Sequence, residues 1–263
     1  MEQRERVLIV SVQTTQTDED FAYANQELAQ LVDTAMGEVV ATVTQKRESI
    51  SGRTLVGKGK VEEISHLVDE LEVDLVVFYQ SLTGSMVKNL NESINCRIID
   101  RVQLILDIFA MRARSKEGKL QVQLAQLNYL LPRLSCQREG LSRQGGGIGT
   151  RGPGETRLET DRRYIRKQIQ DIEEQLEQIK KHRERSREKR KSSNGFQLGL
   201  IGYTNAGKST ILNQLTHAGT YQMDQLFATL DPLTRQVDLF PNFEVTLTDT
   251  VGFIQELPTT LIH

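Results

Sequence analysis

The chain has 263 residues, 38% hydrophobic and 26% charged, with a formal net charge of −2, a composition that supports a buried core in one large or two ordinary domains. No run of about 18 uncharged apolar residues occurs, and the opening Met1–Arg6 lacks the apolar stretch of a secretory leader, so a spanning helix is excluded and secretion is disfavoured. Two cysteines, Cys96 and Cys136, cannot build a disulfide framework or a four-ligand zinc site, as expected in a reducing compartment.

Residues 1–111 are acidic, with 10 Lys and Arg against 18 Asp and Glu. Arg6–Val12 is a short apolar run of the kind found in a buried parallel strand. Asp18–Met36 reads as a helix, with Asp18 able to cap it, Glu19 and Asp20 suited to its first turn, and Gly37 as its stop. Strand-like Glu38–Gln45, helical Lys60–Leu71, strand-like Asp74–Tyr79, helical Thr83–Ile94, strand-like Arg97–Asp100 and helical Val102–Ala113 follow. This alternation predicts a small N-terminal α/β domain with a parallel sheet over residues 1–112. The loop from Ser49 to Lys60 carries Gly52, Arg53, Gly57, Lys58 and Gly59 before a helix. It matches no complete phosphate-binding pattern and reads first as a connecting loop. His66 has no partner at metal-ligand spacing.

Residues 112–192 reverse the charge, with 21 Lys and Arg against 11 Asp and Glu. The segment read as 113–193 holds two heptad seams. One is Leu120, Leu124, Leu127, Leu131 and Leu134; the other is Ile165, Ile169, Ile172, Leu176 and Ile179. Two such stripes joined by a loop predict an antiparallel coiled-coil hairpin, its second helix running from about Leu158 to Lys191. The intervening tip, residues 135–157, holds seven glycines, and Arg138, Arg143, Arg151 and Arg157 face only Glu139 and Glu155 in charge balance. A loop this long is a spacer or a functional probe. Glycine allows close backbone approach and arginine suits phosphates and base planes, so the basic hairpin is expected to contact folded RNA through these four arginines. Cys136 lies beside Arg133 and Arg138 but has no partner at catalytic spacing.

Residues 193–263 are acidic again, with 2 basic and 6 acidic residues. Gly202-Tyr203-Thr204-Asn205-Ala206-Gly207-Lys208-Ser209 satisfies G-x-x-x-x-G-K-[ST] in full, and Thr210 opens the helix after it. The apolar run Phe196–Ile201 precedes it, so strand, loop and helix follow in the order a phosphate loop needs. Backbone N–H groups there can wrap a β-phosphate, Lys208 can bridge the β- and γ-phosphates, and Ser209 can ligate Mg2+. Glu244–Asp249 reads as a strand ending in an aspartate, and Asp249-Thr250-Val251-Gly252 is an Asp-x-x-Gly. Asp249 fits the role of holding Mg2+ through water, and the Gly252 N–H that of meeting a γ-phosphate. Between the two motifs, Leu226-Phe227-Ala228-Thr229-Leu230-Asp231-Pro232 occupies the position of a first switch. Thr229 is the candidate second protein ligand for Mg2+, with Thr234 as the alternative, and Phe227 reads also as a hydrophobic anchor. Residues 202–210, 227–231 and 249–252 thus form the candidate nucleotide-binding set, with Lys208, Thr229 and Gly252 in the catalytic roles.

With Val56–Lys60, Gly145–Thr156, Gly202–Thr210, Phe227–Asp231 and Asp249–Phe253 in view, the chain resembles the HflX family of translation-factor-type GTPases over essentially its whole length. The resemblance implies a P-loop GTPase domain from residue 194 onward, GTP or GDP as ligand, and a cytoplasmic protein; a monomer is expected. It also implies binding to the large ribosomal subunit and its rRNA, and the splitting of stalled or idle ribosomes into subunits. A guanine-reading Asn-Lys-x-Asp element is expected after the second switch. The sequence reaches His263 without one, so the C-terminal segment is expected to hold only part of such a domain. Where many GTPases place a glutamine after the Asp-x-x-Gly glycine, this chain has Phe253, which cannot hydrogen-bond water. Slow intrinsic hydrolysis, accelerated by the ribosome, is the expectation. The alternatives are an rRNA-binding module that needs no hydrolysis and, less compatible with the switch string, a metabolic P-loop kinase.

Overall fold

The computed structural model describes residues 4–134, 153–190, 196–216, 226–227, 229–240 and 243–254; side chains are left out of the description at 153–158, 187–190, 238–240 and 243–244. The chain forms two compact units, one of residues 1–107 and 126–168, the other of residues 108–125 and 169–263. Its mixed α/β architecture includes a wholly parallel sheet and, among the described residues, seven helices.

The first unit is built on strands β1 (Glu5–Gln13), β2 (Gly37–Lys46), β3 (Leu75–Phe78) and β4 (Arg97–Asp100), all parallel and ordered β2-β1-β3-β4. The connections are α1 (Asp18–Thr34), α2 (Lys58–Glu70) and α3 (Gly84–Asn91), and α4 (Arg101–Arg112) leads out of β4. β1 is central and buried from Val7 to Gln13, as its unbroken apolar run requires when both sheet faces are covered. Leu8, Val10 and Val12 share a core with Val43, Ile64, Val76, Phe78 and Leu90. The alternating order of elements thus led to the observed sheet, with shifts of one to three residues at most boundaries.

Two local expectations are corrected. Thr17, not Asp18, caps α1, its side chain accepting from the Asp20 N–H at 3.1 Å. Gly37 does not end the helix by its conformation: Met36 takes the left-handed turn at φ 66°, and Gly37 already opens β2. A Cβ on Gly37 would lie 2.8 Å from Val32 Cγ1 and 2.9 Å from Val7 Cγ2, so glycine is required there for space. The 49–60 loop is closed by a bridge between Ser51 and Leu55, and buried Leu55 and Val56 anchor it. His66 is exposed on α2, 3.4 Å from Glu70.

At the end of this unit's sheet, Asp100 is fully buried yet well satisfied. It accepts from the N–H groups of Leu82 at 2.9 Å and Gln103 at 3.0 Å, from the Tyr129 hydroxyl at 2.7 Å and from Arg133 at 3.0 Å. The Arg133 guanidinium lies 3.4 Å from the centroid of the Tyr129 ring, and burial with the Asp100 charge raises the Tyr129 pKa far above the ordinary tyrosine value.

Helix α5 (Lys116–Leu130) carries the first heptad seam as far as Leu127, with Leu131 and Leu134 beyond its end, and α6 (Pro153–Arg190) carries the second. On α6 the expected stripe is the inward one: Ile165 and Ile172 are buried and Ile169, Leu176 and Ile179 half-buried. On α5 the seam leucines Leu120, Leu124 and Leu127 are only half-buried, and the buried residues are Gly118, Val122 and Ala125. The buried face of α5 is thus lined by smaller side chains, with the seam leucines beside it. Arg183, late in α6, meets Glu117, the second residue of α5, at 2.6 Å, as antiparallel neighbours do.

The second unit's sheet orders β5 (Phe196–Leu200), β7 (Phe243–Asp249) and β6 (Leu233–Phe240) as β5-β7-β6, with β5 parallel and β6 antiparallel to β7. Helix α7 (Lys208–Thr216) follows β5, and its Leu212 packs with Val237, Val245 and Leu247. Strand β6 was not foreseen from sequence. No helix among the described residues is long and apolar enough to cross a membrane.

Candidate functional site

The strand–loop–helix of the phosphate loop forms as its sequence requires. β5 ends at Leu200, Asn205 and Gly207 adopt left-handed conformations at φ 58° and 83°, and α7 begins at Lys208. These two turns fold the backbone back on itself over a few residues, which is why small or turn-prone residues occupy them. The Ile211 N–H bonds to the Gly207 carbonyl at 3.0 Å and closes the first helical turn. The N–H groups at the start of α7 therefore face the loop, with the positive end of the helix dipole behind them.

Asp249 is the centre of the site. The parallel register pairs it with Leu200, so the last residues of β5 and β7 end side by side beneath the loop. Its side chain is 1% exposed. Oδ2 accepts from the Ser209 hydroxyl at 2.6 Å and from the Thr229 hydroxyl at 2.9 Å, and those two hydroxyl oxygens lie 3.1 Å apart. Asp249 Oδ1 is buried and has no hydrogen-bond partner among the described residues. Phosphate loop, first switch and Asp-x-x-Gly thus meet at one carboxylate.

That donor set fits a magnesium ion. A buried carboxylate with one oxygen unmatched and two hydroxyls gathered against the other is oxygen-only, the chemistry Mg2+ prefers. Among the described residues no cluster of three His, Cys, Asp or Glu side chains competes as a metal site. One carboxylate and two hydroxyls suit an ion whose remaining ligands come from phosphate oxygens and water.

Lys208 Nζ donates to the carbonyls of Gly202 at 3.1 Å and Tyr203 at 2.6 Å, so its ammonium is held over the loop. Burial pushes its pKa down, and the Asp249 charge partly restores it. Gly252 has a steric role. A Cβ there would lie 2.6 Å from Thr204 Cα and 2.7 Å from Thr204 N, so only glycine lets the Asp-x-x-Gly segment reach the loop. The Phe253 N–H bonds to the Gly202 carbonyl at 3.0 Å and the Thr204 N–H to the Phe253 carbonyl at 2.8 Å, which locks the two motifs together. The Thr250 hydroxyl donates to the Leu200 carbonyl at 2.6 Å and fastens the strand ends. The Phe253 side chain is half exposed and Tyr203 is more exposed still.

The first-switch residues divide. Thr229 joins the Asp249 cluster, whereas Thr234 lies in β6 with its hydroxyl 3.0 Å from that of Thr248. Phe227 takes its anchor role: it is 1% exposed, at φ 52°, with its ring edge-on to Phe109 at 4.8 Å between centroids. Asp231 turns to the start of α5. Its Oδ2 accepts from the N–H groups of Arg114 at 2.9 Å and Ser115 at 2.8 Å, and its Oδ1 from the Ser115 hydroxyl. Burial alone would raise its pKa. Hydrogen bonds from Ser115 and Arg114 and the Arg114 charge outweigh that and hold it below the ordinary carboxylate range.

Ser115, Gly118 and Phe109 were not foreseen as part of this site. Ser115 is readable as a helix cap, and its Oγ does accept from the Gly118 N–H at 2.9 Å. Nothing local announces that its hydroxyl proton goes to a residue 116 positions away. Ala228, Arg138, Arg143 and Arg151, and the side chain of Arg157, lie outside the described residues.

Comparison with known proteins matches three successive stretches of the chain. Residues 22–110 match a family model described as GTP-binding GTPase N-terminal, residues 112–190 one described as GTP-binding GTPase Middle Region, and residues 197–261 one described as 50S ribosome-binding GTPase. A GTPase HflX of Alkalihalophilus pseudofirmus is 60% identical over 258 residues, covering 98% of this chain and 61% of the relative. One of Caldanaerobacter subterraneus subsp. tengcongensis is 51% identical over 260 residues, covering 99% of this chain and 60% of the relative. A crystal structure of an SsGBP and GDP complex is similar at a TM-score of 0.57 and 25% identity, covering 99% of this chain and 66% of that one. The chain therefore spans about three fifths of the length of these curated relatives.

Proposed function

Because the chain belongs to the GTPase HflX family, we propose that the protein is a Mg2+-dependent GTP hydrolase that binds the large ribosomal subunit and promotes the dissociation of stalled or idle ribosomes. The observation that carries the reading is the convergence of Ser209 and Thr229 on the buried carboxylate of Asp249. A phosphate loop alone only binds. A first-switch threonine gathered to the same carboxylate is what a nucleotide-controlled switch needs.

In this mechanism the backbone N–H groups of residues 203–209 cradle the α- and β-phosphates of GTP, and Lys208 shifts its ammonium from the Gly202 and Tyr203 carbonyls to the β- and γ-phosphates. Ser209 and Thr229 would hold Mg2+ directly and Asp249 through water. The ion, when bound, adds positive charge against the charge that develops between the β- and γ-phosphates. Thr229 engages fully only with the γ-phosphate present, and Gly252 offers its N–H to that phosphate. Phe253 gives the attacking water no hydrogen bond, so hydrolysis is slow until the ribosome orients that water. The basic segment 112–192 supplies the affinity for rRNA, with Arg138, Arg143, Arg151 and Arg157 as its contacts. The protein acts as a cytoplasmic monomer.

Splitting of intact ribosomes, followed on sucrose gradients with GTP, tests the reading. Full-length protein is expected to release subunits and to show ribosome-stimulated GTP hydrolysis. Lys208→Ala is expected to bind ribosomes but lose stimulated hydrolysis. A full-length protein that hydrolyses GTP maximally without ribosomes, or leaves ribosomes intact, contradicts it. The strongly basic balance of residues 112–192, apart from the nucleotide motifs, favours one second reading. In it residues 1–192 dock on rRNA without hydrolysis, and ribosome binding by residues 1–192 and by Lys208→Ala equal to that of the unmodified full-length protein would select it.

A further inference from the structure

Asp231 stands at the end of the first-switch string, yet its carboxylate is directed to the turn between α4 and α5. Both oxygens are used there, on the N–H groups of Arg114 and Ser115 and on the Ser115 hydroxyl. The pocket is fitted to the carboxylate: a Cβ on Gly118 would come within 2.6 Å of Asp231 Oδ1 and 3.0 Å of Ser115 Oγ. Ser115 meanwhile holds the Gly118 N–H with its Oγ, so one hydroxyl ties the first turn of α5 to the switch. At the other end of the string, Phe227 is buried against Phe109 of α4. Thr229 lies two residues from each anchor, with its hydroxyl 2.9 Å from Asp249.

We propose that Asp231 is a positioning residue for GTP hydrolysis: clamped by Ser115 and the start of α5, and paired with the Phe227 anchor on Phe109, it sets where Thr229 meets the metal and γ-phosphate. This rests on the GTPase reading above. A threonine on a free loop is restrained on one side only, by the ligand it binds. Here both flanks are tied, Asp231 to the α4–α5 turn and Phe227 to Phe109 of α4, so the place at which the hydroxyl meets its ligands is set from two sides. Coupling of this kind is reciprocal: a ligand that orders Thr229 must also steady the first turn of α5, the helix that opens the basic segment.

The test uses the full-length protein. Asp231→Asn and Ser115→Ala are expected to lower kcat for ribosome-stimulated GTP hydrolysis about ten- to a hundredfold, the order a small misplacement of a reacting group costs. Their affinity for GDP, which does not call on Thr229, is expected to stay within about twofold of the unmodified protein, which also reports that the variants fold. Ser115→Thr keeps the hydroxyl and is expected to restore most of kcat. Amide exchange at residues 115–119 is expected to be slower with a non-hydrolysable GTP analogue than with GDP, and Asp231→Asn is expected to erase that difference. Asp231→Asn with unchanged kcat and an intact exchange difference overturns the positioning role while leaving the GTPase reading in place. Loss of GDP affinity in parallel with kcat also overturns it, since the residue then supports the whole site. Unmodified protein that binds no guanine nucleotide overturns both.

Discussion

Two parallel strand–helix units in this chain stand in contrasting surroundings. β1 lies between β2 and β3, and seven consecutive residues of it are buried. Among the described residues β5 pairs only with β7, and its Phe196 and Leu198 are 62% and 47% exposed. The helix after β5 shows the same openness, with Ile211 and Leu215 exposed beside the single buried Leu212. Burial therefore holds the first sheet together, whereas directed polar contacts and close backbone approach hold the nucleotide site: Ser209 and Thr229 on Asp249, Gly252 against Thr204, Asp231 on Ser115. Hydrophobic burial is non-directional and gives stability, while hydrogen bonds give position at a modest net gain.

Substitutions should separate the two. Leu8 is fully buried in β1, and Leu8→Ala is expected to destabilise the first unit by about 2–5 kcal/mol in urea unfolding, with guanine-nucleotide affinity retained where that unit remains folded. Asp249→Asn is expected to cost about a hundredfold in Mg2+-dependent hydrolysis, the scale of losing one preorganised electrostatic contact, without moving that unfolding transition. Gly252→Ala forces the backbone away from Thr204, and nucleotide affinity measured by titration is expected to drop roughly tenfold, equivalent to about 1.4 kcal/mol. Leu198→Ala on the exposed strand is expected to change stability by no more than about 0.5 kcal/mol. A cost at Leu198 equal to that at Leu8 removes the contrast.

The Asp231 clamp adds a pH signature. Its native carboxyl ionises at lower pH than in the unfolded chain, so its stabilising contribution is complete above the unfolded value of about 3.9 and is lost as pH falls through the lower native value. The difference in thermal stability between unmodified protein and Asp231→Asn is expected to stay constant from about pH 5 to 7 and to close only below about pH 4. A difference already closing near pH 6 points to another group.

The sequence was most legible where structure is local. The phosphate loop and Asp-x-x-Gly declare themselves because their geometry follows from glycines, a lysine and hydroxyls at fixed spacing, and the parallel sheet from apolar runs alternating with helical patterns. Strand β6 was hidden because Thr234, Arg235 and Gln236 give it little apolar pattern; its register with β7 creates it. The buried face of α5 was misplaced because heptad spacing counts leucines, while the buried positions are Gly118, Val122 and Ala125. Asp231 counted as a nucleotide contact because it ends the switch string. Its partners Arg114 and Ser115 are far away in sequence, beyond the reach of any spacing rule.

The most direct test is nucleotide titration of the full-length protein with GTP, GDP and ATP, each with and without Mg2+, alongside Lys208→Ala and Ser209→Ala. Tight binding of GTP and GDP over ATP is expected, with GTP binding strengthened by Mg2+, that gain lost in Ser209→Ala, and binding abolished in Lys208→Ala. Equal affinity for ATP, or guanine-nucleotide binding indifferent to Lys208 and Mg2+, contradicts a GTP site centred on Ser209, Thr229 and Asp249.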